Sequence, residues 1–390
     1  MAIPFAGVAI AQYDGGAVIV DSVPAATPVA VRSGNANTKA ILDTAFRIDG
    51  RFELVGSASE AHFAIAVDPA GANNARLSIY SGVPEKLMFT ETLTGDSSLN
   101  AVYQAIDRAV YKTRRGDKGF FAGKLAFINE ESGASEVCVS DLLFQSVIQL
   151  TNDRVSAIGP KWSPDGNAIV YTSYKAGFPD IYKLDLRTNS RQVIANYKGL
   201  NTGAAFSPDG TRIAMIISGG SNSDVWVREA SGQMKNLTKS RGLEAAPAWS
   251  PDGTRLVFSS DERGGPQLYV MPSMGGSSRR LATNVSGDCA QPDWNPVYDN
   301  KIAFSAALGS GRQIVIFDSR AGKSRIISND SGDAIEPHWL ADGRHLVYTH
   351  RRANRSEIKI MDTFAEPNEF GKSYVISGSR IKVSQPSFVK

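Results

Sequence analysis

A five-residue string, Trp162-Ser-Pro-Asp-Gly166, returns as Phe206-Ser-Pro-Asp-Gly210 and Trp249-Ser-Pro-Asp-Gly253, and in weaker form as Trp294-Asn-Pro and Trp339-Leu-Ala-Asp-Gly343. The aromatics stand 43–45 residues apart, and a fixed period of that size means one supersecondary unit repeated. Within the string, Pro presets φ and Gly accepts φ > 0, which makes a tight turn. A β-branched and aromatic run follows each turn, as in Ile169-Val-Tyr-Thr-Ser173 and Leu256-Val-Phe-Ser-Ser260. A hairpin leads to a third run, such as Asp180-Ile-Tyr-Lys-Leu184, and a polar turn to a fourth, such as Arg191-Gln-Val-Ile194. These runs are too short and too β-branched for stacked helical pairs. Four short strands per unit is the pattern of a propeller blade.

The two ends of the repeat region fit each other. Lys124-Leu-Ala-Phe-Ile128, Glu136-Val-Cys-Val-Ser140 and Val147-Ile-Gln-Leu-Thr151 match second, third and fourth strands, with no aromatic first strand before them. Pro386-Ser-Phe-Val389 is a first strand with nothing after it. Five whole repeats and one split blade predict an all-β six-bladed β-propeller over residues 124–390, closed by the C-terminal strand so that no sheet edge is left open. Trp162, Phe206, Trp249, Trp294, Trp339 and Phe388 then wedge between neighbouring blades as core residues without chemistry. A polar stretch at 366–372 absorbs the longer last interval.

Residues 12–115 read differently. Pro28 to Val31, Phe52 to Val55, His62 to Val67, Arg76 to Tyr80 and Lys86 to Thr90 are strands. Thr38 to Ile48 is an amphipathic helix with Ile41, Ala45 and Ile48 on one face, ended by Asp49-Gly50. Ser98 caps a second helix with the stripe Leu99, Val102, Ile106 and Val110, ending at Gly116. This is an α/β N-terminal domain, joined to the propeller by a linker at 116–123. Ahead of it, residues 1–11 form a short apolar stretch with Ala9 and Ala11 at the −3 and −1 positions of a cut after Ala11. That reads as the remnant of a secretory signal, or else as an apolar strand at the start of the fold.

No motif in the sequence carries recognisable chemistry. The histidines His62, His338, His345 and His350 show no metal-ligand spacing and read as strand or surface residues. Ser356-x-x-Lys359 and Ser379-x-x-Lys382 fix only two positions in four, which chance supplies. Gly119-Phe-Phe-Ala-Gly-Lys124 is one residue short of a phosphate loop and leads into a strand. Asp165, Asp209 and Asp252 are explained by their turns. Cys138 and Cys289 fall in separate blades, too far apart for a bridge. No apolar run approaches the roughly 20 residues that span a bilayer, and a formal charge of +3 with intermixed signs lacks the basic stripe of a nucleic-acid binder. The sequence therefore offers no catalytic residue, no metal ligand and no cofactor site.

A resemblance rests on Thr27-Pro-Val-Ala-Val31, the helix ending in Asp49-Gly-Arg-Phe52, the junction Tyr111-Lys-Thr-Arg-Arg-Gly-Asp-Lys-Gly119, Lys124-Leu-Ala-Phe127 and the Trp-Ser-Pro-Asp-Gly blades after it. Together these resemble the TolB family of the Tol-Pal system, although the stretch between Val55 and His62 is shorter than in that family. The resemblance implies a monomeric, non-enzymatic periplasmic adaptor that maintains outer-membrane integrity and constriction during cell division. It would bind the lipoprotein Pal through propeller loops, for which Glu244, Asp288, Asp333 and Glu336 are the candidate contacts, or else ordinary solvated loop acids. It would offer residues 13–22, with Val18, Ile19 and Val20, to TolA as an added strand. The alternative is a propeller acting as gate or subunit for a hydrolase or peptidase.

Overall fold

The computed structural model describes residues 25–219, 222–309, 311–365 and 369–390. Residues 1–24, and with them the signal-like stretch and Val18, Ile19 and Val20, lie outside the described residues, as do residues 366–368 of the polar stretch.

The chain enters through β1 (Thr27–Arg32), α1 (Ala36–Ile48), β2 (Phe52–Leu54), β3 (Phe63–Pro69), β4 (Asn74–Ser81), β5 (Lys86–Thr94) and α2 (Ser98–Thr113). The strands form one sheet in the order β2-β1-β3-β4-β5. β1 is parallel to both its neighbours, and β3, β4 and β5 are joined antiparallel. Asn35 starts α1 by accepting the Thr38 amide at 3.0 Å, which satisfies one of the orphan donors of a helix start. Its buried face is Leu42, Ala45, Phe46 and Ile48, with the expected Ile41 only partly covered, so the stripe is turned by about one residue. The cap of α2 is Ser97 rather than Ser98: its hydroxyl accepts from the Asn100 amide at 3.1 Å. The helix ends at Thr113, before the expected Gly116. Gly116, at φ 98°, instead donates its amide to the Tyr111 carbonyl and closes the last turn.

The remaining described residues form six four-stranded sheets around one axis. Blade 1 is the split one, with the order Val383–Val389, Lys124–Asn129, Glu136–Asp141, Val147–Gln149. The last strand pairs antiparallel with Lys124–Asn129, Phe388 facing Leu125 and Ser384 facing Ile128. Blades 2 to 6 follow in sequence, and their inner strands are Ala157–Trp162, Asn201–Phe206, Glu244–Trp249, Cys289–Trp294 and Asp333–Trp339. Each aromatic at the end of an inner strand packs against the blade before its own. Trp249 joins Ala214, Ile216, Val225 and Val227 of blade 3, and Phe388 joins Val347, Ile358 and Ile360 of blade 6. Trp249 also donates its indole N–H to the Ala205 carbonyl, 3.0 Å away in blade 3. Phe206 is only half-buried. The guanidiniums of Arg212 and Arg255 lie 4.6 and 4.7 Å over the rings of Trp249 and Trp294, contacts worth about 0.5–1 kcal/mol where solvent reaches them. Both cysteines are free and buried.

The α/β domain sits on the lower face, where the inner strands end, against blades 6 and 1. Phe120 and Phe121, in the segment that the sequence marks as a linker, are fully buried and stack at 4.3 Å. One hydrophobic cluster runs from Val29 and Phe46 through these rings into Leu125, Val347 and Phe388. Polar ties reinforce it: Tyr103 donates to Asp141 at 2.7 Å. Asp107 accepts the Phe121 and Ala122 amides and pairs with Lys390 at 2.7 Å. The upper face, where the inner strands begin, is left open by the α/β domain.

Candidate functional site

The axis of the ring is lined by the inner strands, and a local backbone rule decides what points into it. The residue three before each aromatic has positive φ: Gly159, Gly203, Ala246, Gln291, Glu336 and Gln385, at 50–64°. At each one the pairing with the second strand shifts register, which is a β-bulge. Proline follows in five of the six, at 160, 247, 292, 337 and 386. Proline has no N–H to lose from the ladder at that point.

The bulges divide the channel into unlike halves. In blades 2, 3 and 4 the bulge residues are the small Gly159, Gly203 and Ala246, and the cavity on the axis, about 650 Å³, is lined by the inner strands of all six blades. In blades 5, 6 and 1, longer side chains reach from blade to blade. Gln291 Oε1 accepts the Glu336 amide at 3.2 Å, Glu336 Oε2 accepts the Gln385 amide at 3.0 Å, and Gln385 Oε1 accepts the Gly159 amide at 2.6 Å. Holding Gln or Glu at positive φ costs on the order of 1–3 kcal/mol each, and these bonds across the ring closure offset it. Glu336 also accepts from the Thr349 hydroxyl at 2.7 Å. Burial raises its pKa, against the pull of Thr349 and the Gln385 amide. Below it, Asp293 accepts the Trp339 amide at 2.8 Å and lies 3.3 Å from His338 Nδ1. Burial opposes ionisation of Asp293, but His338, Lys161 and the amide outweigh it and hold the carboxyl below its ordinary range.

The four acids chosen from the sequence occupy three different environments. Asp288 and Asp333 come together on the upper rim. Arg312 forks onto Asp288 at 2.9 and 3.1 Å while its backbone amide donates to Asp333 at 3.0 Å, and Arg351 reaches Asp333 at 3.2 Å. Glu336 is deeper, in the channel. Glu244 is 3% exposed, and its Oε1 accepts from Ser240 and Ser260 at 2.6 and 3.0 Å. It shapes the rim loop, and its Oε2 is buried without a hydrogen-bond partner, so the carboxylate is not offered to solvent. Burial raises its pKa, against those two hydroxyls.

Sequence reasoning missed the other half of the rim. Tyr174, Phe178, Tyr197, Leu200 and Leu243 are exposed there, Phe178 at 71%. They are held on adjoining loops: Asn201 donates to the Pro179 and Tyr197 carbonyls, and Ser218 donates to the Leu200 carbonyl. The available signal was the apolar character of the 174–178 and 197–200 loops, where blades 5 and 6 carry Asp, Arg and Asn. Among the described residues no group of three or more His, Cys, Asp or Glu is arranged to hold a metal ion, and no helix is long and apolar enough to cross a membrane.

A family model described as the TolB beta propeller domain matches residues 111–368. The curated Tol-Pal system protein TolB of Francisella tularensis subsp. mediasiatica (strain FSC147) is 37% identical over 185 residues, 45% of this chain and 42% of that protein. The aligned stretch thus spans less than half the length of that relative. The crystal structure of TolB from Acinetobacter baumannii has the same fold, with a TM-score of 0.81 at 24% identity over 94% of this chain and 97% of that one. The structure of a putative TolB from Agrobacterium tumefaciens gives 0.52 at 18% identity, covering 65% of this chain and 88% of that one. The repeat, the split blade and the family model covering most of the ring agree: the chain belongs to the TolB β-propeller family.

Proposed function

We propose that this chain is a non-enzymatic periplasmic adaptor of the Tol-Pal system, with the upper face of its propeller docking Pal and residues 13–22 taken up by TolA as an added strand. The observation that carries this reading is an open face on a ring of TolB type. The α/β domain packs on the lower face at blades 6 and 1, while the upper rim presents exposed Phe178 and Leu243 on one side and the Asp288–Arg312–Asp333 network on the other. Aromatic anchors beside satisfied rim charges are the composition of a protein-docking patch. The channel acids also support it, because Glu336 and Asp293 are committed to bonds that hold the ring.

The test is capture of the periplasmic domains of the organism's own Pal and TolA by the full chain. Binding of Pal that Phe178→Asp or Leu243→Asp weakens at least tenfold is expected. Deleting residues 12–22 should abolish TolA capture and leave Pal capture intact. If neither domain binds at micromolar concentration, the adaptor reading fails.

A further inference from the structure

The seam between the α/β domain and blade 6 encloses charges that neither the ring nor the docking face uses. From the α/β domain come Asp49, the C-cap of α1, and Arg51; from blade 6 come Asp342, Arg344, His345 and Asp362. All six side chains are buried, with Asp49 and His345 completely so. Arg51 forks onto Asp49 at 2.8 and 2.7 Å and lies 3.8 Å from Asp342. Arg344 forks onto Asp362 at 2.8 and 2.6 Å. His345 Nδ1 is 2.6 Å from Asp342. Its Nε2 has no hydrogen-bond partner and lies 3.9 Å from an Asp49 oxygen and 4.0 Å from an Asp362 oxygen. The Phe120 ring covers it at 4.5 Å. From the linker, Asp117 approaches Arg51 to 4.0 Å at the exposed edge, and the Lys118 carbonyl accepts from Arg51.

Two features of this geometry point the same way. Three buried carboxylates face two guanidiniums, so a neutral imidazole leaves one negative charge sealed in protein, whereas an imidazolium balances the set. A neutral ring donating from Nδ1 to Asp342 would also aim the Nε2 lone pair at two carboxylates, while a protonated ring aims an N–H at them. We propose that His345 is a protonated latch fastening the α/β domain to the propeller, so that docking of the two domains depends on pH.

The sign follows from the surroundings. Burial pulls the imidazole pKa down, but Asp342, Asp362 and Asp49 outweigh it and hold it above its usual value. A group whose pKa is raised in the docked state contributes fully below about 6.5, its unperturbed value, and the contribution is lost as pH rises through the docked value. With one proton involved, the docking equilibrium weakens about tenfold per pH unit between those limits and is flat outside them.

The experiment uses the full chain. Hydrogen-exchange protection of residues 116–123, corrected for intrinsic rates, is followed from pH 6 to 10, with the four histidines titrated by NMR on the same sample. Expected are a His345 inflection above 6.5 and a matching fall in protection of that segment, with blades 3 and 4 unchanged. His345→Gln should lower the protection at pH 6 and remove its pH dependence; adding Asp342→Asn, which restores the charge balance, should recover the protection. A His345 inflection at or below 6.5, pH-independent protection in the unaltered chain, or a double variant no better than the single one overturns the proposal. If His345→Gln fails to fold, the titration and exchange of the unaltered chain decide alone.

Discussion

Gly50 sits between Asp49 and Arg51 at the domain seam, and replacing it with alanine tests the closeness of that seam. A Cβ at residue 50 would stand 1.9 Å from Asp362 Oδ2 and 3.0 Å from its Cγ. Ordinary contact would require the carboxylate to retreat by roughly an ångström or more. It is not free to do so, because Arg344 forks onto both of its oxygens and the Phe364 amide donates to Oδ1 at 2.9 Å. Overpacking alone costs about 1–3 kcal/mol, and breaking a buried ion pair about 3–5 kcal/mol. Gly50→Ala is therefore expected to lower stability by about 3 kcal/mol, between these limits. The assay is urea unfolding of the full chain, with Asp362→Ala as the second arm of a double-mutant cycle. Without the carboxylate the added methyl has room, so its cost should fall below about 1 kcal/mol, giving a coupling of about 2 kcal/mol. Equal losses in both backgrounds, or a loss under about 0.5 kcal/mol in the unaltered background, would refute the contact.

Other predictions follow from the ring itself. Trp339→Ala empties a wedge that is 3% exposed and removes an indole bond to the Asp293 carbonyl, so urea unfolding should register a loss of about 3–5 kcal/mol. Tyr103→Phe deletes the bond to Asp141, which keeps the Leu143 and Ser146 amides; about 1.5 kcal/mol of stability should go, the low end for a bond to a charged group. Glu336 has a raised pKa in the folded chain, so its ionisation works against folding: stability is greatest below the unfolded carboxyl value and declines as pH rises through the folded one. Glu336→Gln keeps an acceptor for the Gln385 amide, and chemical denaturation at several pH values should show that decline flattened.

The ring was legible because its signals are local and repeated. Aromatic, Pro-Asp-Gly and β-branched run recur within one blade, and the split blade follows from matching the two fragments. The Ser97 cap was not legible to the residue, since two serines stand side by side and only the geometry chooses the one whose hydroxyl reaches Asn100. The channel's unlike halves were hidden for another reason. Gln291 and Gln385 look like ordinary strand residues, and Glu336 like a loop acid, until the bulge turns them inward, and the sequence signal is their position directly before proline. Glu244 read as a rim acid, whereas its neighbours Ser240 and Ser260 draw it into the interior. The seam is the hardest case, because its two halves lie nearly three hundred residues apart. One sign was present: blade 6 departs from Ser-Pro-Asp-Gly. In blades 2, 3 and 4 the serine hydroxyl binds the turn aspartate. In blade 6 the serine is replaced by Leu340, and Asp342 instead binds His345. Where the repeat breaks, another constraint has taken over.

The closing strand unites these observations. Val383–Val389 completes blade 1, so the integrity of the ring depends on it. At its upper end Gln385 joins the channel chain, donating its amide to Glu336 and accepting the Gly159 amide on its side-chain oxygen. At its lower end Phe388 packs into the cluster shared with the α/β domain, and Lys390 pairs with Asp107 of α2 and donates to the Gly119 carbonyl. A single extended strand therefore touches the channel, the ring closure and the domain seam. Its burial on both sides leaves little room for adjustment at one end without strain at the other. The closing strand is thus a structural tie between the proposed docking face and the α/β domain, and Glu336, one of the four acids suited to a partner, anchors it from inside the channel.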